Sequence, residues 1–122
     1  MNFEQLLAYQ KSVIVAMEVF ELSKAFPKVE TYALTDQIRR SSRSVSAQIA
    51  EAYRKRRYPK HFISKLTDAD AENAETQVWL EYALRCQYIS EEQHQQLLND
   101  TLETGKLIGY MIRFPERFLG RE

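Results

Sequence analysis

"TDQIRRSSRSVSAQIAEAYRKRRYP", residues 35–59, is the stretch whose reading decides the fold. From Thr35 to Tyr58 it holds neither glycine nor proline, the two residues that most often interrupt a helix. At about 100° per residue, Leu34, Ile38, Ser42, Val45, Ile49 and Tyr53 gather on one side of such a helix. The opposite side reads Arg40, Arg43, Ala47, Ala50, Arg54 and Arg57, at spacings of three and four. Thr35 is a good N-cap, and Pro59 marks a boundary while suiting the first turn of whatever follows. A helix is predicted over 35–57.

Outward from it the helical spacing recurs three times. Upstream, Phe3, Leu6, Leu7, Val13, Ile14, Met17 and Phe20 predict an apolar face on a helix over 3–25, stopped near Phe26-Pro27. Downstream, Phe62, Leu66, Ala69, Asn73, Thr76, Leu80, Ala83 and Leu84 share one face of a long helix over 59–87. Ser90-Glu91-Glu92-Gln93 fits a capping box and opens a fourth helix over 90–113. Its inner face carries Leu97, Leu98, Thr101, Leu102, Gly105, Ile108 and Ile112, and Phe114-Pro115 ends it. No strand-like alternation and no internal repeat appear. The reading is all-α: an antiparallel up-and-down four-helix bundle, one domain over residues 1–122.

The totals narrow the setting. Three glycines and three prolines are too few for a turn-rich β sandwich. Cys86 is the single cysteine, so neither an internal disulfide nor a cysteine-built metal site can form, and a reducing compartment is expected. "MNFEQLLAYQK" lacks the basic-then-apolar order of a secretory signal, and the longest apolar run, Val13 to Met17, is too short to span a bilayer. The expected location is the cytoplasm. Net charge is zero, yet Ile38–His61 holds eight basic residues and one acid, while Phe62–Thr104 holds two basic residues and nine acids. Basic and acidic surfaces are therefore segregated.

The outer stripe of the second helix has arginines at both ends and bare alanine in the middle, where lysine or glutamate is usual. Small side chains there would admit another helix closely. On the third helix, Asp68, Glu72, Glu75 and Trp79 make an acidic stripe, and Ala71, Ala74, Val78 and Tyr82 leave a further face apolar. A helix apolar on more than one face is generally covered on more than one face. The expected contact joins Arg39, Arg40, Arg43, Ala47 and Ala50 of one copy to Asp68, Glu72, Glu75 and Trp79 of the next. Two unlike patches pair head-to-tail and can close into a ring. The competing reading is that both stripes are solvated faces.

Catalytic constellations are missing: no glycine-rich phosphate loop, no His-Glu-x-x-His, no serine elbow. His61 and His94 fall on different helices and read as solvated side chains, and no Glu-x-x-His pair on a core face could hold a di-iron centre. No enzyme activity, metal or cofactor is expected. Asn73 and Thr76 read as a satisfied buried pair that fixes register, and Cys86 as a small apolar filler. Tyr53, Tyr58 and Phe62 interleave with Arg54, Lys55, Arg56, Arg57 and Lys60, a mixture suited to stacking bases and holding phosphates. It suits a helix end fraying into solvent equally well.

Within "FPKVETYALTDQIRRSSRSVSAQIAE", Phe26-Pro27-Lys28, Glu30, Leu34, Gln37-Ile38-Arg39-Arg40, Ser44 and Ile49-Ala50-Glu51 resemble the signature of the 23S rRNA-intervening-sequence proteins. "KHFISKLTDADAENAETQVWLEYALRCQYI" is also similar, so the resemblance covers nearly the whole chain. These bacterial proteins are typically encoded within insertions in 23S ribosomal RNA genes or stand free in the genome. The resemblance implies a four-helix bundle assembled as a homopentamer. A related branch, the accessory variability proteins of diversity-generating retroelements, binds a reverse transcriptase and RNA through strongly basic surfaces. Here Ser46 stands where the family usually has proline, Gln48 where it has asparagine, and Ala52 where it has glycine. The expected function is a non-enzymatic ring that binds structured RNA or a ribonucleoprotein through Arg54, Lys55, Arg56, Arg57 and Lys60, with no membrane role. The alternative is a protein-interaction scaffold without nucleic-acid binding.

Overall fold

Leu6 divides the first predicted helix in two. The computed structural model, which describes residues 2–119, shows a single 3-10 turn at Phe3–Gln5, capped by the Asn2 side chain, then an extended Leu6. Helix α1 follows at Leu7–Ser23, α2 at Leu34–Arg54, α3 at Pro59–Arg85 and α4 at Glu91–Arg113. The four pack as an up-and-down bundle: α1 and α3 each touch α2 and α4, and lie diagonally apart. The α2–α3 turn, the chain start and the end of α4 therefore share one end of the bundle.

The face of α1 differs from expectation. Ala8, Ser12, Val15, Ala16, Val19 and Ser23 point inward, whereas Leu7, Ile14 and Met17 are 66%, 50% and 55% exposed. Apolar residues surround α1 on most sides, so their spacing alone does not choose an inner face. Small inward side chains let α1 approach its neighbours. Ser12 and Ser23 are satisfied there by donating to the carbonyls of Tyr9 (2.7 Å) and Phe20 (3.0 Å).

Helix α2 starts one residue earlier than its expected cap. Ala33 occupies the N-cap position and Thr35 is buried, while Glu30 caps from a distance, its Oε1 accepting the Leu34 amide at 3.2 Å. At α4 the capping box forms as expected: Gln93 N donates to Ser90 Oγ and Ser90 N to Gln93 Oε1. Helix α3 ends in a Schellman-type turn, Tyr88 N donating to Ala83 O at 2.9 Å. Gln87, at φ 63°, fills the left-handed position that usually favours glycine. Cys86, expected as a filler, is exposed beside this turn.

Two apolar clusters form the core. One joins Leu6, Val45, Ile49, Phe62, Leu66 and Ile108 near the α2–α3 turn; the other joins Val19, Leu34, Ile38, Leu80 and Leu97 towards the opposite end. Buried Ser12, Ser41, Ser42, Asn73, Thr76, Thr101 and Thr104 lie at the level between them, each with a hydrogen bond. Asn73 and Thr76 are both buried but pair with different helices: Asn73 Nδ2 donates to Thr101 O at 2.8 Å on α4, and Thr76 Oγ1 lies 2.8 Å from Ser41 Oγ on α2. Among the described residues, no helix is long and apolar enough to cross a membrane.

Candidate nucleic-acid interface

The predicted basic residues cluster where α2 gives way to α3. Arg54 is the last residue of α2, where its charge complements the negative end of the helix dipole. Lys55 then donates its amide to the carbonyls of Glu51 (3.1 Å) and Ala52 (3.0 Å), and Tyr58 N donates to Lys55 O at 2.9 Å. This turn ends at Pro59, the first residue of α3. Proline needs no amide partner there and fixes the backbone angle the helix requires.

Arg54, Lys55, Arg57 and Lys60 are exposed. No carboxylate among the described residues lies within ion-pair distance of these four. Arg56 is set apart from them. Its Nη1 donates to Tyr53 O at 3.0 Å, and its guanidinium lies 4.2 Å from the centre of the buried Tyr53 ring. It closes the end of the core instead of facing outward. Beside the cations, Tyr58 and His61 are exposed and meet edge to face at 5.9 Å.

Topology adds two residues that the sequence reading missed. Arg113 and Arg117, at the end of α4 and in the following 3-10 turn, lie at the same end of the bundle, and that turn packs against α3. Their guanidiniums sit 5.5 and 5.1 Å from the Phe114 ring centre, and Arg117 Nη1 donates to Tyr110 Oη at 2.7 Å. The signal was present in "RFPERF", a second mixture of arginine and phenylalanine. The opposite end gathers Glu21, Glu30, Asp36, Glu81, Glu91 and Glu92 against Lys24, Lys28 and Arg85, a net excess of acid. The bundle is thus charged lengthwise, basic at one end and acidic at the other.

Several of the residues expected to join neighbouring copies meet within one chain. Arg40 reaches Glu72 of its own chain, Nη1 to Oε2 at 3.1 Å and Nη2 to Oε1 at 3.4 Å, and also pairs with Glu75. Trp79 Nε1 donates to the same Glu75 oxygen at 3.1 Å. Arg40 therefore meets Glu72 and Glu75, with Trp79 beside them, within one bundle, along the α2–α3 seam. Burial pushes the Glu72 carboxyl up, but hydrogen bonds from Arg40 and Ser44 and the Arg40 charge outweigh it, leaving Glu72 below the ordinary carboxylate range. Arg39 is also engaged internally, donating from Nε to Ser23 Oγ at 2.8 Å with its guanidinium 4.9 Å from the Phe20 ring centre. Arg43 and Ala47 remain exposed on α2, Ala50 is half-buried, and Asp68 is exposed on α3.

Among the described residues, no group of three or more histidine, cysteine, aspartate or glutamate side chains is placed to hold a metal ion. His61 lies on α3 and His94 on α4.

Residues 4–110 match the family described as 23S rRNA-intervening sequence protein. A solved structure from Bacteroides thetaiotaomicron, a protein with unknown function from the S23 ribosomal protein family, is similar with a TM-score of 0.79 and 34% identity. The alignment covers 87% of this chain and 98% of that one. No curated protein matches. With the matched span reaching from the first turn into the last turn of α4, the chain belongs to the 23S rRNA-intervening sequence protein family.

Proposed function

We propose that this chain is a non-enzymatic bundle that assembles with copies of itself into a ring, a homopentamer as in its family, and binds structured RNA or a ribonucleoprotein in the cytoplasm. The observation that carries the reading is the set of exposed cations without carboxylate partners among the described residues, Arg54, Lys55, Arg57 and Lys60, beside exposed Tyr58 and His61. Other cations are answered by carboxylates, Arg40 by Glu72 and Glu75, Lys65 by Glu51 and Lys11 by Asp100 and Glu103, and those without one, such as Lys28, Arg43 and Lys106, are not grouped as these four are. Phosphates would take the place of the missing carboxylates, releasing counterions as they bind. Unpaired bases would stack on Tyr58 and His61.

The start of α3 assists. Its N-cap, Tyr58, offers no side-chain hydrogen bond, and the first intrahelical bond is Phe62 N to Tyr58 O. The amides of Lys60 and His61 are left at the positive end of the helix dipole, where an anion is stabilised. A ring would repeat this end once per subunit, so that modest contacts act together. The acidic opposite end would repel RNA and direct it to one face of the ring. The test is direct binding of a labelled hairpin and a labelled single strand at low salt. Binding of either is expected, and binding of neither would overturn the proposal.

One observation favours a second reading, a scaffold for proteins. Net charge is zero, and the acidic end offers carboxylates at Asp36, Glu91 and Glu92 to a basic partner. A partner that stays attached after nuclease treatment would support that reading.

A further inference from the structure

Helices α1 and α4 form the loosest seam of the bundle, and an apolar one. Towards the end of α1 it opens into a groove of about 560 Å³ with Ile14, Met17, Leu22 and Leu97 in its walls. Towards the start of α1 a second groove of about 450 Å³ lies among Leu6, Leu7, Leu107 and Met111. Between them Lys11 bridges Asp100 and Glu103, at 3.3 Å to each. Glu18 and Glu21 rim the same seam, and Lys24 pairs with Glu21 at 3.2 Å. Two lysines against four carboxylates leave the rim negative. Exposed Leu7, Ile14 and Met17 join the two grooves into an apolar strip bounded by charge, a surface suited to docking.

The outer face of α2 is its complement. Arg43 and Arg54 are exposed there, and Ala47 and Ala50 recede between them. On α1, Ile14 and Met17 stand between Lys11, which holds Asp100 and Glu103, and Glu21, which pairs with Lys24. Ile14 and Met17 protrude between those carboxylates as the alanines recede between the arginines. Knob faces hollow, and the excess of carboxylates on the rim faces the arginines of α2.

The geometry points to a second copy of this chain as the occupant. The outer face of α2 in one protomer seats in the α1–α4 seam of the next, its alanines over Ile14 and Met17 and Arg43 at the carboxylates beside them. The inference rests on the ring reading and supplies its contact. The two faces are unlike, so the contact runs head-to-tail from copy to copy and closes where the rotation permits. The Arg40 cluster stays inside each protomer. Arg54 stands where the contact meets the basic end, which brings the RNA-facing residues of adjacent copies together.

Light scattering tests this with two doubly substituted variants, Ile14→Glu with Met17→Glu and Arg43→Glu with Ala47→Glu. All four side chains are exposed in the single bundle, so circular dichroism is expected to show unchanged helix content. Each variant alone is expected at the monomer mass of 14.4 kDa. Mixed in equal amounts, they are expected to form a dimer of twice that mass, because one intact seam meets one intact α2 face and neither chain can extend the pair. An unchanged oligomer in either variant, or no dimer on mixing, would overturn this contact and leave the ring itself standing. A wild-type chain that is already monomeric would overturn both.

Discussion

The two seams on opposite sides of the bundle solve opposite problems. Between α2 and α3, Arg40, Glu72, Glu75 and Trp79 satisfy one another, and below them Ser41 meets Thr76. The charges of that seam are spent on one another, and a smaller groove of about 280 Å³, lined by Leu34, Trp79 and Tyr82, is left at its end. Between α1 and α4 the packing is loose, half-exposed Ile14 and Met17 line a groove, and a negative rim remains. Visible charge therefore does not identify the contact surface. What matters is which charges already have partners inside the chain.

The largest expected difference between the regions is in stability. Leu80→Ala, in the core beside the α2–α3 seam, is expected to cost about 2–5 kcal/mol, whereas Ile14→Ala should stay within about 0.5 kcal/mol in the isolated bundle. Chemical denaturation of the monomer measures both, and equal losses would break the contrast. Arg40→Gln comes next, with an expected cost of roughly 0.5–1 kcal/mol, at the upper part of the range for exposed pairs because two carboxylates share the guanidinium.

The seams should also differ in the sign of their pH dependence. Glu72 titrates below its ordinary value, so its contribution is present above that value and is lost as acid protonates it in the fold. Glu18 titrates above its ordinary value, because of burial first and then the charge and hydrogen bond of Asp100. Its contribution is present below the ordinary carboxylate range and is lost as pH rises through the raised value. Glu72→Gln should therefore flatten the acid limb of the stability profile. Glu18→Gln should be neutral or slightly stabilising at neutral pH, by a few tenths of a kcal/mol. Thermal melts across the acid range would show whether the two variants diverge as stated.

How legible each element was depended on how one-sided it is. Helix α2 carries Ile38, Val45 and Ile49 against a charged opposite face, and α4 announces its start with Ser90 and Gln93, so both could be read directly. Helix α1 offers apolar residues in nearly every direction; its inner face is chosen by the small side chains that fit, which spacing does not reveal. The pairing of Arg40 within its own chain was hidden for a different reason. It lies on the outer half of α2, but a long side chain reaches sideways to a neighbouring helix, and which helix is adjacent is a tertiary fact. Arg56 could not be separated from Arg57 without knowing that the Tyr53 ring and carbonyl sit beneath it. Arg113 and Arg117 join the basic end because the chain returns there after four helices, a relation absent from any local pattern.

The central claim is that the exposed cations of the α2–α3 turn meet RNA phosphates. Its most direct test is the salt dependence of binding to a single-stranded RNA, comparing wild type with a variant carrying glutamine at Arg54, Lys55, Arg57 and Lys60. Each phosphate contact contributes a slope of about −0.7 in log K against log salt, so the variant is expected to lose up to about 3 units of slope per engaged subunit. Arg56→Gln alone should leave the slope nearly unchanged, because that side chain is turned onto Tyr53. A quadruple variant that binds with the wild-type slope would contradict the account.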